Sequence, residues 1–327
     1  MVDFLIAFAN FIASAVRTTA PIALGTLACT ISERAGIINI GIEGIMLFSG
    51  FISALCTWYT NNPWTGLVAG CIAGILLSCI LGILAIYCGG QQIVLGIGIN
   101  LFAPGLAYMI MRTVWKNTGI SPELHGFSTL DIPGIKDIPV LGTIVSGYTP
   151  VIYLGILAVV IMHYIMNKTV WGLRIRAVGE NPQAVATVGI PVYRLRMQAV
   201  IVSGIFSGMA GAVMCLSSVN IFINDMTAGS GFMAFAANQF GHWSVWGGYF
   251  ATLLFGAMSA LRIRLQSLGV ATQITQMIPY IAVLIGIKVA GKRMRAPAAN
   301  GITYPHALMQ PKIKKKSIDI SENSNHG

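Results

Sequence analysis

Residues 171–197 read WGLRIRAVGENPQAVATVGIPVYRLRM, and they lie between two long apolar runs at roughly 149–167 and 198–218. Arg174, Arg176, Arg194 and Arg196 crowd into this stretch, although the 327-residue chain is 55% hydrophobic and only 9% charged. Ordinary soluble domains carry about 25% charged residues. A mean hydropathy of +0.76 leaves more apolar surface than an aqueous fold could hide. Lipid is the expected solvent, and the quoted stretch is the polar punctuation between two crossings. Runs of roughly 18 or more apolar residues, each able to cross a hydrocarbon core about 30 Å thick as helix, recur along the chain.

These runs predict an all-α, polytopic transmembrane bundle. Nine candidate spans fall at about 5–31, 37–58, 64–88, 91–111, 149–167, 198–218, 229–243, 245–261 and 271–290. The seventh is short and carries Asn238 and Gln239, so that a broken or re-entrant element and a full crossing both stand open there. Residues 1–305 read as one membrane domain and 306–327 as a polar, basic cytoplasmic tail. The opening MVDFLIAFANFIASAV has no positive leader and no small-residue cleavage pattern, and is expected as a first span.

Lys and Arg in short loops mark the cytoplasmic side. Lys168 and the four arginines above form one basic cluster, and Lys288, Lys292, Arg293 and Arg295 form another. Both are placed inside, which puts the N-terminus outside and the C-terminus in. The loop 112–148, with Arg112, Lys116 and Lys136 balanced by Glu123, Asp131 and Asp137, suits the external face. Arg262 and Arg264 then violate the rule mildly. The net charge of +10 gathers at loops and tail and predicts no nucleic-acid face. The run KIKKK at 312–316 reads as a solvated end able to touch anionic lipid.

Cys29, Cys56, Cys71, Cys79, Cys88 and Cys215 all fall in apolar segments without metal-site or redox spacing, so they read as core or lipid-facing residues. His125, His163, His242, His306 and His326 are scattered and predict no metal site. Gly66, Gly70 and Gly74 form one helix face and Gly204, Gly208 and Gly211 another, where backbones can approach closely. Two polar interruptions, SERAGIINIGIEG at 32–44 and SSVNIFINDMTAGSG at 217–230, are each followed by an apolar helix. Paired broken helices are a mark of inverted-repeat transporters, so two inverted repeats are a possible organisation.

Within the quoted stretch, Asn181 suits an N-cap, Pro182 the first helical position, and Gly189 with Pro191 a stop. About seven helical residues remain, roughly 10 Å, too short to cross. Ala184, Val185 and Val188 are expected on one face of this helix, ringed by arginines as a docking knob.

The order GIINIGIEG, GENPQAVATVGI, SGIFSGMAGAVM and RAPAANG, over about residues 10–305, resembles the permease subunits of bacterial ABC importers. The resemblance is to the nucleoside type, within the broader family that also serves ribose and branched-chain amino acids. It implies that Glu180, Asn181, Pro182, Gln183, Ala184 and Gly189 form the coupling helix that docks on an ATPase subunit. Wider relatives often begin this helix with Glu-Ala-Ala, whereas this chain has Pro182, Gln183 and Ala184, the form of the nucleoside and simple-sugar branch. The resemblance further implies a second, different permease subunit, two ATPase domains and an extracytoplasmic binding protein. ATP would be bound by the partner and no cofactor by this chain; consistently, the sequence has no P-loop.

Polar groups at membrane depth usually face a cavity or another helix. The candidates for a substrate pathway are Asn39, Glu43, Asn100, Asn238 and Gln239. Asn39 and Glu43 would share a face if that segment were helical. Their amides and carboxylate suit the hydroxyls and base edges of a nucleoside. Glu33 and Arg34 read as a local ion pair or gate. Simple sugars, riboflavin and branched-chain amino acids are alternative cargo. An ion-coupled carrier is the rival class, but Glu43 is its only good coupling carboxylate. An enzyme is disfavoured, because no nucleophile–base set, HExxH or carboxylate pair shares a predicted face.

Overall fold

The computed structural model describes residues 2–117, 119–130, 146–290 and 295–304. The chain is helical throughout, with only the isolated bridges Ile120–Ile223 and Leu130–Tyr148 pairing strand-like among the described residues. Among the described residues, the α-helices in order are α1 Val2–Arg34, α2 Ile42–Thr60, α3 Pro63–Gly82, α4 Gln92–Val114, α5 Pro150–Lys168, α6 Val170–Glu180, α7 Pro182–Thr187, α8 Val192–Val213, α9 Ser230–Phe240, α10 Val245–Ser267 and α11 Thr272–Ala290. π-helical turns extend α3 through Ile83–Tyr87 and α8 through Met214–Val219. Among the described residues, six helical segments meet the length and apolarity needed to cross a bilayer: Phe8–Arg34, Ile42–Thr60, Pro63–Tyr87, Gln92–Val114, Pro150–Lys168 and Val192–Val219. α10 has 23 residues and matches them in length. α9, at 11 residues and about 16 Å, is a half-helix, which decides between the two alternatives the sequence left open there.

Several elements differ from the sequence reading, among them α10, which runs to Ser267 and not to 261. The second span begins at Ile42, not near 37, because residues 35–41 are not helical and Gly36 adopts φ +85°. α8 begins at Val192, six residues before the expected start, so Arg194 and Arg196 are helical. Arg196 is only 1% exposed; its Nη1 donates to the Ile302 carbonyl at 3.0 Å, which permits a guanidinium inside the bundle. Ahead of the short helix expected there, the quoted stretch also holds most of α6. In α6, Gly172, Ile175, Val178 and Gly179 face inward while Arg174 stays exposed, and Thr169 caps the first turn by accepting from Gly172 N at 3.3 Å.

The two glycine faces meet. A Cβ on Gly208 would stand 2.5 Å from the Gly70 carbonyl oxygen, and one on Gly204 would stand 2.8 Å from that of Gly74. α3 and α8 therefore touch backbone to backbone, the close approach that small residues permit. α1 lies along α10 and α8, while α2 fills the space against α3 and α8. Val68, Ile72, Leu76 and Ile80, spaced by four along α3, are exposed, as are Leu101 and Met109 on α4. An outward apolar stripe of this kind requires hydrocarbon as its solvent.

At the end opposite α7, residues 119–127 are strapped to the stretch that leaves α8. Ser121 N donates to Phe222 O at 2.9 Å, Leu124 N to Asn220 O at 2.9 Å and Phe127 N to Leu216 O at 3.0 Å. Phe222 packs edge-on against Phe51, with ring centroids 5.4 Å apart, which roots the strap in the core.

Candidate translocation pathway and coupling surface

The interruptions between α1 and α2 and between α8 and α9 meet inside the bundle. Glu43, in the first turn of α2, accepts from Gly229 N through Oε1 at 2.8 Å and from Gly231 N through Oε2 at 2.6 Å. Its carboxylate thus caps the N-terminus of α9, where unpaired N–H groups and the helix dipole favour negative charge. Asn100 braces the first interruption from α4: Oδ1 accepts from Gly44 N at 2.8 Å and Nδ2 donates to Ile40 O at 3.0 Å. Asn39 lies in the non-helical segment, so it shares no helix face with Glu43; its side chain is buried and both amide atoms lack a protein partner.

Asn238 sits elsewhere, near the far end of α9. Its Oδ1 accepts from Thr30 Oγ1 at 2.8 Å, joining α9 to α1, while its amide nitrogen faces the Glu33 carboxylate. Gln239 is half-buried beside it. The structure therefore groups Asn39, Glu43 and Asn100 around one break and leaves Asn238 and Gln239 apart from them.

Glu33 and Arg34 do not pair with each other, because adjacent helical residues point about 100° apart. Glu33 accepts from Trp243 Nε1 and from Asn300 Nδ2, the latter at 3.3 Å. Arg34 donates to the Trp243 carbonyl at 2.5 Å and to that of His242 at 3.4 Å. Both hold the corner between α9 and α10, where His242 and Trp243 take φ values of +54° and +53°.

A cavity of about 330 Å³ opens between α1, the π-turn of α8, residues 221–226, the start of α9 and the end of α10. Its polar lining includes Arg17, Asn224, Asp225, Ser230 and Arg262, and its apolar lining includes Met214, Met226 and Met233. None of the five sequence-expected pathway residues lines it. The signals were present in the sequence: Asn224 and Asp225 stand in the second polar interruption, and Arg262 was a charge on the wrong side by the positive-inside rule. Asn220, Asp225 and Ala228 all have positive φ, at +57°, +62° and +42°, so this wall is backbone held in a costly conformation. The Tyr280 hydroxyl of α11, donating to Ala228 O at 3.3 Å, helps to hold it.

At the other end stands the short helix. Asn181 Oδ1 accepts from Ala184 N at 3.0 Å, Pro182 occupies the first position, and Gly189 has φ +78°, as the sequence predicts. The outward face differs from expectation: Ala184 and Val188 are exposed, Val188 at 71%, but Val185 is buried in the bundle and anchors the helix. Residues 298–302 fasten this end. Ala299 N donates to Gly179 O at 2.8 Å, Gly301 N to Gly36 O at 3.2 Å, and Ala298 N to Glu180 Oε2 at 3.4 Å. The basic residues expected at 292–293 and the tail 306–327 lie outside the described residues.

Broken helices joined at mid-bundle, a polar cavity toward one end and a capped, protruding helix at the other define a multi-pass membrane permease. The chain belongs to the family described as branched-chain amino acid transport system / permease component, which matches residues 11–287. It is similar to the guanosine ABC transporter permease protein NupQ of Bacillus subtilis, 37% identical over 298 residues covering 87% of this chain and 93% of the relative. The nucleoside ABC transporter permease protein NupC of Lactococcus lactis subsp. cremoris is 31% identical over 90% of this chain and 96% of its own length. A putative glucose ABC transporter permease protein, TsgC13 of Haloferax volcanii, is 32% identical over 80% of each chain. The first two organisms each contribute a second match, NupP and NupB, at 27% and 25% identity. No solved structure matches. The protein is therefore a multi-pass permease component of the bacterial cytoplasmic membrane.

Proposed function

We propose that this permease carries nucleosides inward as one of two different transmembrane subunits of an ATP-binding cassette importer. The observation that carries the reading is the identity of 37% to a guanosine permease across 93% of that relative. The paired matches in two organisms support a second, different permease as partner. An ATPase subunit that binds the ATP and an extracytoplasmic binding protein that delivers cargo complete the assembly, and this chain performs no covalent chemistry. The α7 end faces the cytoplasm, in accord with its basic cluster.

On this reading the cavity of about 330 Å³ receives cargo from outside. It sits at the small end of ligand sites, which run roughly 300–1,000 Å³. Asp225 and Asn224 can accept from ribose hydroxyls, the guanidiniums of Arg17 and Arg262 can lie against a base, and three methionines adapt to its faces. Asn39, with both amide atoms unpaired, is the expected pathway residue that retains hydrogen-bonding capacity toward cargo. Glu43 and Asn100 act by holding the two breaks together.

The test is uptake by the reconstituted importer. Wild type should take up labelled guanosine in preference to glucose, and cargo should stimulate ATP hydrolysis. Gly189→Val places a β-branched residue at φ +78° in otherwise open space, so it should displace α7 without disturbing the bundle. Stimulated hydrolysis and uptake should both fall at least about tenfold, the consequence of roughly 1–2 kcal/mol of backbone strain in the docking helix. Glucose uptake without guanosine uptake would overturn the cargo; an unaffected variant would overturn the docking role.

A further inference from the structure

A second cavity, of about 310 Å³, lies toward the α7 end between the last turns of α1 and α5, α6, and the corner joining α9 to α10. Arg34 and Arg176 both line it; the Arg176 charge opposes that of Arg34, and Glu180, which does not line the cavity, offsets this only in part. Arg34 is satisfied in part by two backbone carbonyls, whereas the Nε of Arg176 is buried without a protein partner. Two neighbouring guanidiniums in a largely enclosed space are costly unless an anion joins them.

The surroundings identify the anion's carrier. The cavity reaches the surface at Asn167 of α5 and Trp246 of α10, both exposed. Just toward the middle of the bundle, Val160, Ile161 and Tyr164 on α5 and Phe250 and Leu254 on α10 are exposed apolar residues. A basic cavity at one end of two hydrocarbon-compatible faces fits an amphiphile whose charged head enters and whose chains lie alongside. Trp246, 5.7 Å from the His163 ring, is the amphipathic aromatic expected at the boundary between headgroups and hydrocarbon.

We infer that the cavity between Arg34, Arg176 and Trp246 binds the phosphate headgroup of an anionic phospholipid. Basic pockets between transmembrane helices at the cytoplasmic face are suited to such headgroups. The lipid would tie α6, which carries the docking helix, to α1 and α10 through one phosphate. The binding itself does not depend on the cargo proposed above.

The test uses the intact importer in detergent, titrated with phosphatidylglycerol or phosphatidylcholine and followed by native mass spectrometry. Phosphatidylglycerol should be retained at least tenfold more tightly than phosphatidylcholine. Arg176→Gln should abolish that preference, while Arg174→Gln, on the exposed side of α6, should keep it. A photoactivatable phosphatidylglycerol should crosslink wild type within residues 163–167 or 243–246, which tests the site even if the Arg176 variant fails to assemble. Equal retention of both lipids, an unaltered Arg176→Gln variant, crosslinks confined to other helices, or displacement of the lipid by millimolar inorganic phosphate would each overturn the inference.

Discussion

Glu43 shows how much a single side chain can organise across a membrane bundle. Two backbone N–H groups at the head of α9 converge on its carboxylate, which lies 186 and 188 residues away in sequence. Hydrogen bonds to a charged acceptor contribute about 1.5–3 kcal/mol each at the upper end. Glu43→Ala should therefore lower stability by about 2–3 kcal/mol and free the start of α9, while Glu43→Gln, which keeps one acceptor oxygen, should lose less than half as much. Thermal unfolding of the purified protein checks this; equal behaviour of the two variants would deny the cap. Asn181 and Gly189 were legible as caps because their partners lie three or four residues away. The partners of Glu43 and Asn100 belong to other helices, so the same residue types read equally well as substrate ligands. Val185 was legible as apolar, but which way it turned depended on the bundle beneath it.

At the scale of elements, apolar length located the membrane helices well, and errors arose where charge interrupted it. Arg194 and Arg196 read as loop because a buried guanidinium is rare; the backbone carbonyl at residue 302 that receives Arg196 is over a hundred positions away. α6 was missed because its glycines and arginines obscure a short amphipathic period. The glycine rows were legible as surfaces, though not as each other's partners. Their contact makes a sharp contrast between two substitutions. Gly208→Val would drive a side chain into the Gly70 carbonyl and separate α3 from α8, whereas a Cβ on Gly98 of α4 meets nothing within 4 Å. Gly208→Val should cost more than about 3 kcal/mol and leave little folded protein, as overpacking against immovable backbone does. Gly98→Ala should unfold at or slightly above the wild-type temperature, gaining up to about 1 kcal/mol in helix propensity. Fluorescence-detected gel filtration before and after heating separates the two outcomes, and a monodisperse, heat-resistant Gly208→Val protein would contradict the packing.

For the whole molecule, the sequence indicated a one-domain helical bundle with two polar interruptions, and the structure adds that the interruptions touch. That contact could not be read from the chain, since a weak correspondence between segments says nothing of their distance. The cavity was similarly hidden: its walls come from three separated parts of the sequence, 17–22, 214–233 and 259–263, and no local pattern records that they meet.

The fastening of the α7 end by residues 298–302 has a consequence for the order in which the protein is made. Every other part of that junction, Glu33, Gly36, Gly179, Glu180 and Arg196, emerges from the ribosome long before the segment that locks them together. A nascent chain can insert its helices one after another and yet hold the α7 end unlocked until residues 298–302 have been made. A chain ending after residue 290 should accordingly reach the membrane and retain its helical content by circular dichroism, but fail to capture the ATPase subunit on co-purification. Normal capture by that shortened chain would show that the lock is dispensable. On the proposed function, late closure would hold back recruitment of an ATPase subunit until the helices it acts on are all in place.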